Sequence, residues 1–125
     1  MIHLDTNYLV DVATVGSVGG AKVHAWLKAG KSVTTSAVAW SEFCNGPLSK
    51  PQKDATFAVL DRKITDFTWR EAEEASRLFN LSGRRHGSHA DCMIAAAAIL
   101  SGFPLATFNT ADFQRLVPFG LVLEG

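Results

Sequence analysis

Four acidic residues in this chain of 125 residues stand where a predicted strand ends or a predicted helix starts. They are Asp5 in IHLDTN, Glu42 in AWSEFCNG, Asp91 in SHADCMIAAAA and Asp112 in TFNTADF. Their apolar neighbours are typical of a core, where an unpaired carboxylate is costly. Taken singly, each aspartate is more typical of a helix cap or first-turn acid, and Glu42 of a solvated helix face. If the four converge on one cleft, they predict a site for a divalent metal ion.

The prediction of a metal ion rests on the repulsion between the carboxylates. At spacings of about 5 Å, each ionised pair repels by roughly 3 kcal/mol at an effective dielectric constant near 20. A domain stabilised by only about 5–15 kcal/mol cannot hold several such pairs unless protons or a cation neutralise them. Oxygen ligands with open coordination positions suit Mg²⁺ or Mn²⁺. Because such an ion activates water and offsets charge on a phosphate, the predicted reaction is phosphodiester hydrolysis.

Short apolar strands alternating with helices must position these acids. The predicted strands are Ile2–Leu4, Ser32–Thr35, Ile64–Phe67, Leu105–Phe108 and Leu121–Leu123. The predicted helices span 8–15, 21–29, 36–44, 51–60, 68–81, 88–101 and 110–116, with GSVGG as a loop that closes the first of them. This alternation predicts an α/β fold, a three-layer α/β/α sandwich with a mainly parallel central sheet. Ligands of such sheets bind at the carboxyl ends of strands, where the acids would meet.

Composition limits the remaining possibilities. The length allows one domain, residues 1–125, and 47% apolar against 19% charged residues excludes a disordered chain. The apolar excess favours an oligomer or a protein partner. Twelve basic residues balance twelve acidic ones, so net charge gives no support to nucleic-acid binding. The two cysteines, Cys44 and Cys92, are predicted to be buried free thiols. Without a membrane span or signal peptide, the expected location is the cytoplasm.

Polar residues flank the acids at the predicted strand ends. Asn7 and Asn109 are candidates for amide ligands of the metal or for donors to a substrate. Thr6 and Thr107 could hydrogen-bond the acids and fix their rotamers. Turn and cap chemistry explains these four residues equally well.

The order and spacing of these residues resemble the PIN-domain family, and more narrowly the VapC toxins of bacterial toxin–antitoxin pairs, over essentially the whole chain. IHLDTNYLVDV resembles the family's opening strand, with Asp5 and Asn7 in its usual positions, and TTSAVAWSEFCNG resembles the segment with its helix-borne glutamate, here Glu42. The most specific stretch is HADCMIAAAAILSGFPLATFNTADF, which resembles a D-x-x-I-A-A-x-A helix followed by T-x-N-x-x-D-F. The residues that this stretch supplies are Asp91, Thr107, Asn109 and Asp112.

The resemblance implies a Mg²⁺- or Mn²⁺-dependent endoribonuclease that is a homodimer and has a cognate antitoxin. Its catalytic and metal-binding residues would be Asp5, Glu42, Asp91 and Asp112. It also implies that the antitoxin often reaches the acidic pocket with an arginine. A bidentate guanidinium neutralises clustered carboxylates much as a metal would.

The loop SGRRHGS, before the third acid, is more basic than the family pattern leads one to expect. Arg84 and Arg85, with His86, are predicted to contact RNA phosphates beside the metal. Away from an acidic site, a solvated loop would be the favoured interpretation.

Three alternatives belong to other classes of protein or function. A catalytically silent PIN module would bind proteins only, although none of the four acids is missing. A PIN nuclease of RNA processing, outside a toxin pair, is also compatible with the motifs. A receiver domain is excluded because Asp5 lacks an acidic neighbour and no lysine follows Lys63.

Overall fold

Three short strands and seven α-helices make up the computed structural model, which describes residues 1–125. The elements follow in the order β1 (Ile2–Leu4), α1 (Thr6–Val12), α2 (Val18–Lys28), β2 (Val33–Thr34), α3 (Ala37–Cys44), α4 (Lys50–Val59), α5 (Trp69–Leu81), α6 (His89–Ser101), β3 (Leu105–Ala106) and α7 (Thr110–Gln114), with a 3₁₀ turn at Val117–Phe119. None of these helices combines the length and the apolar character needed to cross a membrane.

The three strands form one parallel sheet in the order β2-β1-β3. His3 of β1 pairs with Thr34 on one side and with Leu105 on the other. β2 and β3 lie on opposite sides of β1, so the connection from β1 to β2 and the connection from β2 to β3 cross the sheet in opposite directions. Because such crossovers are right-handed, the helices of the two connections lie on opposite faces of the sheet. This confirms the predicted α/β fold with a parallel sheet flanked by helices. The strand order reverses between β1 and β3, so their carboxyl ends form the expected ligand crevice.

Two of the five predicted strands, Ile64–Phe67 and Leu121–Leu123, do not form strands. Thr65 forms only an isolated bridge with Ser36, and Leu123 forms one with Leu105. Each bridge is held by two backbone hydrogen bonds, such as Thr65 N to Thr35 O at 2.8 Å and Glu124 N to Leu105 O at 2.8 Å. Both segments therefore extend the sheet at its edges, but each pairs at a single residue before the chain turns away.

Helix α6 lies in the centre of the core. Its residues Ala95 to Ala98 are all buried, as is Cys92 one turn earlier. Small side chains allow this helix to lie close to the sheet, which places the start of the helix beside the strand ends. The prediction of two buried cysteines is half wrong, since Cys92 is buried and Cys44, at the end of α3, is exposed.

Helix α2 begins inside the segment GSVGG, which the sequence predicts as a loop. Ser17 caps it by accepting a hydrogen bond from Gly20 N at 3.0 Å, and Gly19 N donates to Asp11 Oδ2 at 2.8 Å. A Cβ on Gly19 would lie only 2.6 Å from Asp11 Oδ2 and 2.7 Å from Asp11 Cβ. The glycine is therefore needed because α1 and α2 approach so closely, and not because the chain is loose there.

This close approach predicts the effect of Gly19→Ala. Alanine is the better helix former by about 1 kcal/mol, so propensity alone would stabilise the variant. The clash with Asp11 opposes this, and overpacking typically destabilises by about 1–3 kcal/mol. We expect a net loss of stability in urea titrations. Ala25→Gly, at an exposed position of α2, measures propensity alone. A gain of stability in Gly19→Ala as large as the loss in Ala25→Gly would contradict the tight contact.

Candidate active site

Asp5 follows β1 directly and is buried, with 6% of its surface exposed. Oδ1 accepts a hydrogen bond from Thr6 N at 2.8 Å, which caps α1, and Oδ2 accepts one from Thr107 Oγ1 at 2.7 Å. Burial raises the pKa of Asp5 above its usual range, and the charge of Glu42 adds to this, while the two hydrogen bonds oppose it. The Thr107 bond joins the ends of β1 and β3, so Asp5 lies in the crevice where the strand order reverses.

Glu42 is on α3 and exposed to solvent. Its Oε1 accepts a hydrogen bond from Thr6 Oγ1 at 2.8 Å. Thr6 therefore contacts two of the acids, Asp5 through its backbone N–H and Glu42 through its hydroxyl group. The predicted role of Thr6 in fixing the acids matches this placement.

Asp91 lies in the first turn of α6 and is half-buried. Its pKa is raised to about 6, first by burial and then by the charges of Asp5, Asp112 and Glu42, while Arg115 opposes the rise. Asp91 is therefore within electrostatic reach of the other three acids. Asp91 does not accept from the backbone N–H of the N-cap residue Ser88, because that N–H donates to Arg85 O at 3.2 Å.

Asp112 is in the first turn of α7. Its Oδ2 accepts a hydrogen bond from Asn109 Nδ2 at 2.8 Å, and its Oδ1 lies 3.9 Å from Arg85 Nη1. Asn109 also donates its backbone N–H to Thr107 Oγ1 at 3.0 Å. The turn after β3 thus contacts Asp5 through its threonine and Asp112 through its asparagine.

The side chains of Asn7 and Asn109, the two predicted amide residues, both form hydrogen bonds in the turn after β3. Asn7 Oδ1 accepts a hydrogen bond from Phe108 N at 3.4 Å, and Asn109 holds Asp112. In this arrangement both side chains order the site. These contacts are of the kind that turn chemistry predicts, and a role as amide ligands or substrate donors stays a prediction.

The two predicted arginines have different surroundings. Arg85 lies beside Asp112 and lines the cleft at the acids. Arg84 instead hydrogen-bonds Asn80 and lies over the Phe79 ring, with 5.3 Å from its guanidinium carbon to the ring centroid. Arg85 is thus the one of the pair that the fold brings to the acids.

A polar cleft of about 120 Å³ adjoins the acids and has no hydrophobic residue in its walls. The residues that line it are Arg85, His86, Gly87, Ser88, Asp91, Asp112 and Arg115. Arg115 is a residue that sequence reasoning missed, although it follows Asp112 by three positions, one helical turn. Its Nε and Nη1 are buried without a hydrogen-bond partner, which is unfavourable for a cation and points to an acceptor that binds nearby.

The donor set fits a hard divalent cation, because it consists of carboxylates whose charges disfavour one another. In their present positions, no three His, Cys, Asp or Glu side chains are close enough together to hold one ion. Binding would require small side-chain movements. Exposed Glu42 and half-exposed Asp112 have more freedom to move than Asp5, which two hydrogen bonds fix.

The hydrogen bond from Thr107 to Asp5 leads to a second prediction. Thr107→Val keeps the shape and removes the donor, so the pKa of Asp5 should rise further and the ligand should lose its fixed orientation. Loss of such supporting hydrogen bonds typically lowers metal affinity or activity by about 10- to 100-fold. Metal titration and RNA cleavage would measure this. Thr107→Ser, which keeps the hydroxyl, should retain most of both, and equal effects of the two substitutions would contradict the assigned role.

Comparison with known proteins identifies the family and the fold. A family model described as PIN domain matches residues 2–117. No curated protein matches the sequence significantly. Among solved structures, a chain of VapBC2 from Rickettsia felis, bound to a promoter DNA fragment, superposes with a TM-score of 0.74 at 22% identity, over 99% of this chain and 98% of that chain.

Two further structures show the same fold. A chain of a toxin–antitoxin complex from Klebsiella pneumoniae has a TM-score of 0.72 at 25% identity, over 90% of each chain. VapC20 from Mycobacterium tuberculosis, described as a sarcin–ricin loop cleaving toxin, has a TM-score of 0.64 at 18% identity, over 98% of this chain and 97% of that chain. The fold is thus shared along almost the full length of each chain.

Proposed function

Because the chain belongs to the PIN-domain family, we propose that it is a metal-dependent endoribonuclease and the toxin of a toxin–antitoxin pair. The observation that supports the proposal is the environment of Asp91: burial first, and then the charges of Asp5, Asp112 and Glu42 from separate parts of the chain, raise its pKa to about 6. The structural neighbour VapC20 is described as a sarcin–ricin loop cleaving toxin, which supports RNA as the substrate class. Structural neighbours from toxin–antitoxin complexes support the toxin role.

Asp5, Glu42, Asp91 and Asp112 would hold Mg²⁺ or Mn²⁺. Such an ion, when bound, lowers the pKa of a water molecule and neutralises charge that develops on the phosphate. The protein contributes one carboxylate whose position is set in advance, since Thr6 and Thr107 donate to the two oxygens of Asp5 and Thr6 also donates to Glu42. A ligand fixed in this way needs little reorganisation during the reaction, and the other three acids would move to meet the ion.

The positive groups of the cleft would act on the substrate. Arg85 and Arg115 lie on the Asp112 side of the acids, where a phosphate can accept hydrogen bonds from a guanidinium. The two buried, unpaired nitrogens of Arg115 supply a reason for an anion to bind there. This arrangement would orient the scissile phosphate toward the acids.

A homodimer, an antitoxin and a cytoplasmic location complete the proposal. Several large apolar side chains are exposed on the surface, as expected of a protein that covers them in an assembly. Those on α5 and α6 are Trp69, Leu81 and Leu100. The antitoxin would neutralise the acids with a basic side chain. Sedimentation of the purified chain, alone and with the product of an adjacent gene, would test both assemblies.

The test of the nuclease is cleavage of a mixed RNA pool by the purified chain with Mg²⁺ or Mn²⁺. Cleavage that EDTA and Asp5→Asn both abolish is expected. Asp54→Asn is the matched control, because Asp54 is an exposed acid on α4 that pairs with Lys50 away from the site. Absent activity would leave a protein-binding module as the function, and activity that survives Asp5→Asn would indicate a contaminating nuclease.

A further inference from the structure

Phe108 is an exposed aromatic residue at the edge of the acidic site. It is the central residue of the turn after β3, and 43% of its surface is exposed. Its neighbour Thr107 donates to Asp5 and its neighbour Asn109 donates to Asp112. The backbone therefore holds this ring between residues that contact two of the proposed metal ligands.

One face of the Phe108 ring packs against the protein. It stacks on Tyr8, with ring centroids 4.3 Å apart and planes within 3° of each other, and Tyr8 is only 2% exposed. Tyr8 in turn stacks on Trp26 at 5.8 Å. Phe108 is thus the exposed end of a stack of three aromatic rings, and Asn7 holds its backbone N–H. A flat ring held in one position loses little entropy when another ring stacks on it.

One cation lies beside Phe108 and another beside Asp112. Lys22 Nζ on α2 is 5.9 Å from the Phe108 ring centroid, and Arg85 is 3.9 Å from Asp112. RNA that reaches both Phe108 and Asp112 would therefore meet two positive charges, although the protein as a whole has no net charge. Aromatic rings beside cations are the usual means of holding single-stranded nucleic acid.

We propose that Phe108 stacks on an unpaired base next to the scissile phosphate of RNA, with Lys22 contacting the adjoining backbone. The substrate class is single-stranded RNA, because a base inside a duplex is already stacked on both faces. The inference rests on the proposed nuclease function and adds the residue that selects the substrate.

The test compares Phe108→Leu and Phe108→Trp with the wild type. Leucine keeps an apolar cover over Tyr8 and removes the aromatic face, whereas tryptophan keeps a stacking surface. With single-stranded oligonucleotides, Phe108→Leu should lower kcat/KM by about 5- to 150-fold, mainly through KM, since one stacked base contributes about that factor. Phe108→Trp should stay near the wild type. The matched control is Phe103→Leu, a ring that is 39% exposed after α6 and outside the site.

A binding measurement separates this inference from the nuclease itself. Fluorescence anisotropy with the Asp5→Asn protein, which should not cut, would give the affinity for single-stranded RNA and its salt dependence. Lys22→Gln should reduce the slope of log affinity against log salt by about 0.7. If the wild type cuts RNA, and Phe108→Leu cuts and binds RNA as well as the wild type does, the stacking proposal is overturned and the nuclease proposal stands. Weakened binding of a protein partner with unchanged RNA binding would also overturn it, and a wild type that neither cuts nor binds RNA would overturn both.

Discussion

Replacing Asp91 with asparagine is expected to abolish RNA cleavage and, at neutral pH, to make the protein more stable. Burial and the charges of Asp5, Asp112 and Glu42 raise the pKa of Asp91 from 3.8 to about 6, so the folded state disfavours its ionised form. The full shift corresponds to about 3 kcal/mol, and solvent screening of this half-buried group reduces the expected gain to about 1–2 kcal/mol. That is an increase of roughly 4–8 °C in Tm. Activity should fall by at least about 100-fold, because a ligand contributes more than its supporting residues.

The pH dependence gives this prediction a definite sign. Below pH 3.8 the carboxyl group is protonated in both the folded and the unfolded state, and it causes no loss of stability. As pH rises through 3.8 toward about 6, the unfolded state ionises first and stability is lost. The Asp91→Asn variant should therefore exceed the wild type in denaturant titrations at pH 7.5 and equal it near pH 3.5. Asp54→Asn should show no gain at neutral pH, and an equal gain in both variants would contradict the argument.

Mg²⁺ or Mn²⁺ is expected to raise the Tm of the wild type substantially. An ion that binds only the folded state adds about 2.7 kcal/mol at a concentration 100 times its Kd, which is roughly 10 °C for a domain of this size. The ion replaces a proton at Asp91, so its affinity should weaken by up to about tenfold per pH unit below the pKa of about 6. Thermal melts at pH 5 and pH 7.5, with and without the ion, would measure both effects.

The variants that remove a ligand provide the control for this measurement. Asp5→Asn and Asp91→Asn should both lose most of the stabilisation by the ion, whereas Asp54→Asn should keep it. An increase in Tm that survives loss of Asp5 and Asp91 would place the bound ion elsewhere. The same titration with Ca²⁺ tests whether the site demands a small cation, because Ca²⁺ prefers more ligands and longer distances.

The sequence was sufficient to predict the elements that carry the acids. Asp5, Asp91 and Asp112 each stand beside a strong local signal: the end of a buried strand, an alanine-rich helix and the turn T-x-N. Such signals depend on a few neighbouring residues, and the structure places these three acids at the expected edge of the sheet. Glu42 depends on helical spacing alone, and its contact with Thr6 required the fold.

Features that depend on distant residues could not be predicted in this way. The segment GSVGG has the composition of a loop, and only the contact of Gly19 with Asp11 turns it into the first turn of α2. The segments around Thr65 and Leu123 have strand-like composition, but each pairs at one residue only, with Ser36 and Leu105. The length of such pairing depends on the path of the neighbouring segment, which local composition does not determine. Arg115 gave no motif signal, because its importance arises from burial beside Asp91.

The different exposure of the two thiols has a practical consequence. Cys44 is exposed and free, two residues after Glu42 on the same helix, whereas Cys92 is buried in α6. A thiol-reactive nitroxide will therefore label the native chain at one position near the acids, without any substitution. Paramagnetic broadening of that label by Mn²⁺ would then give a distance from α3 to the bound ion and locate it among the four carboxylates by spectroscopy.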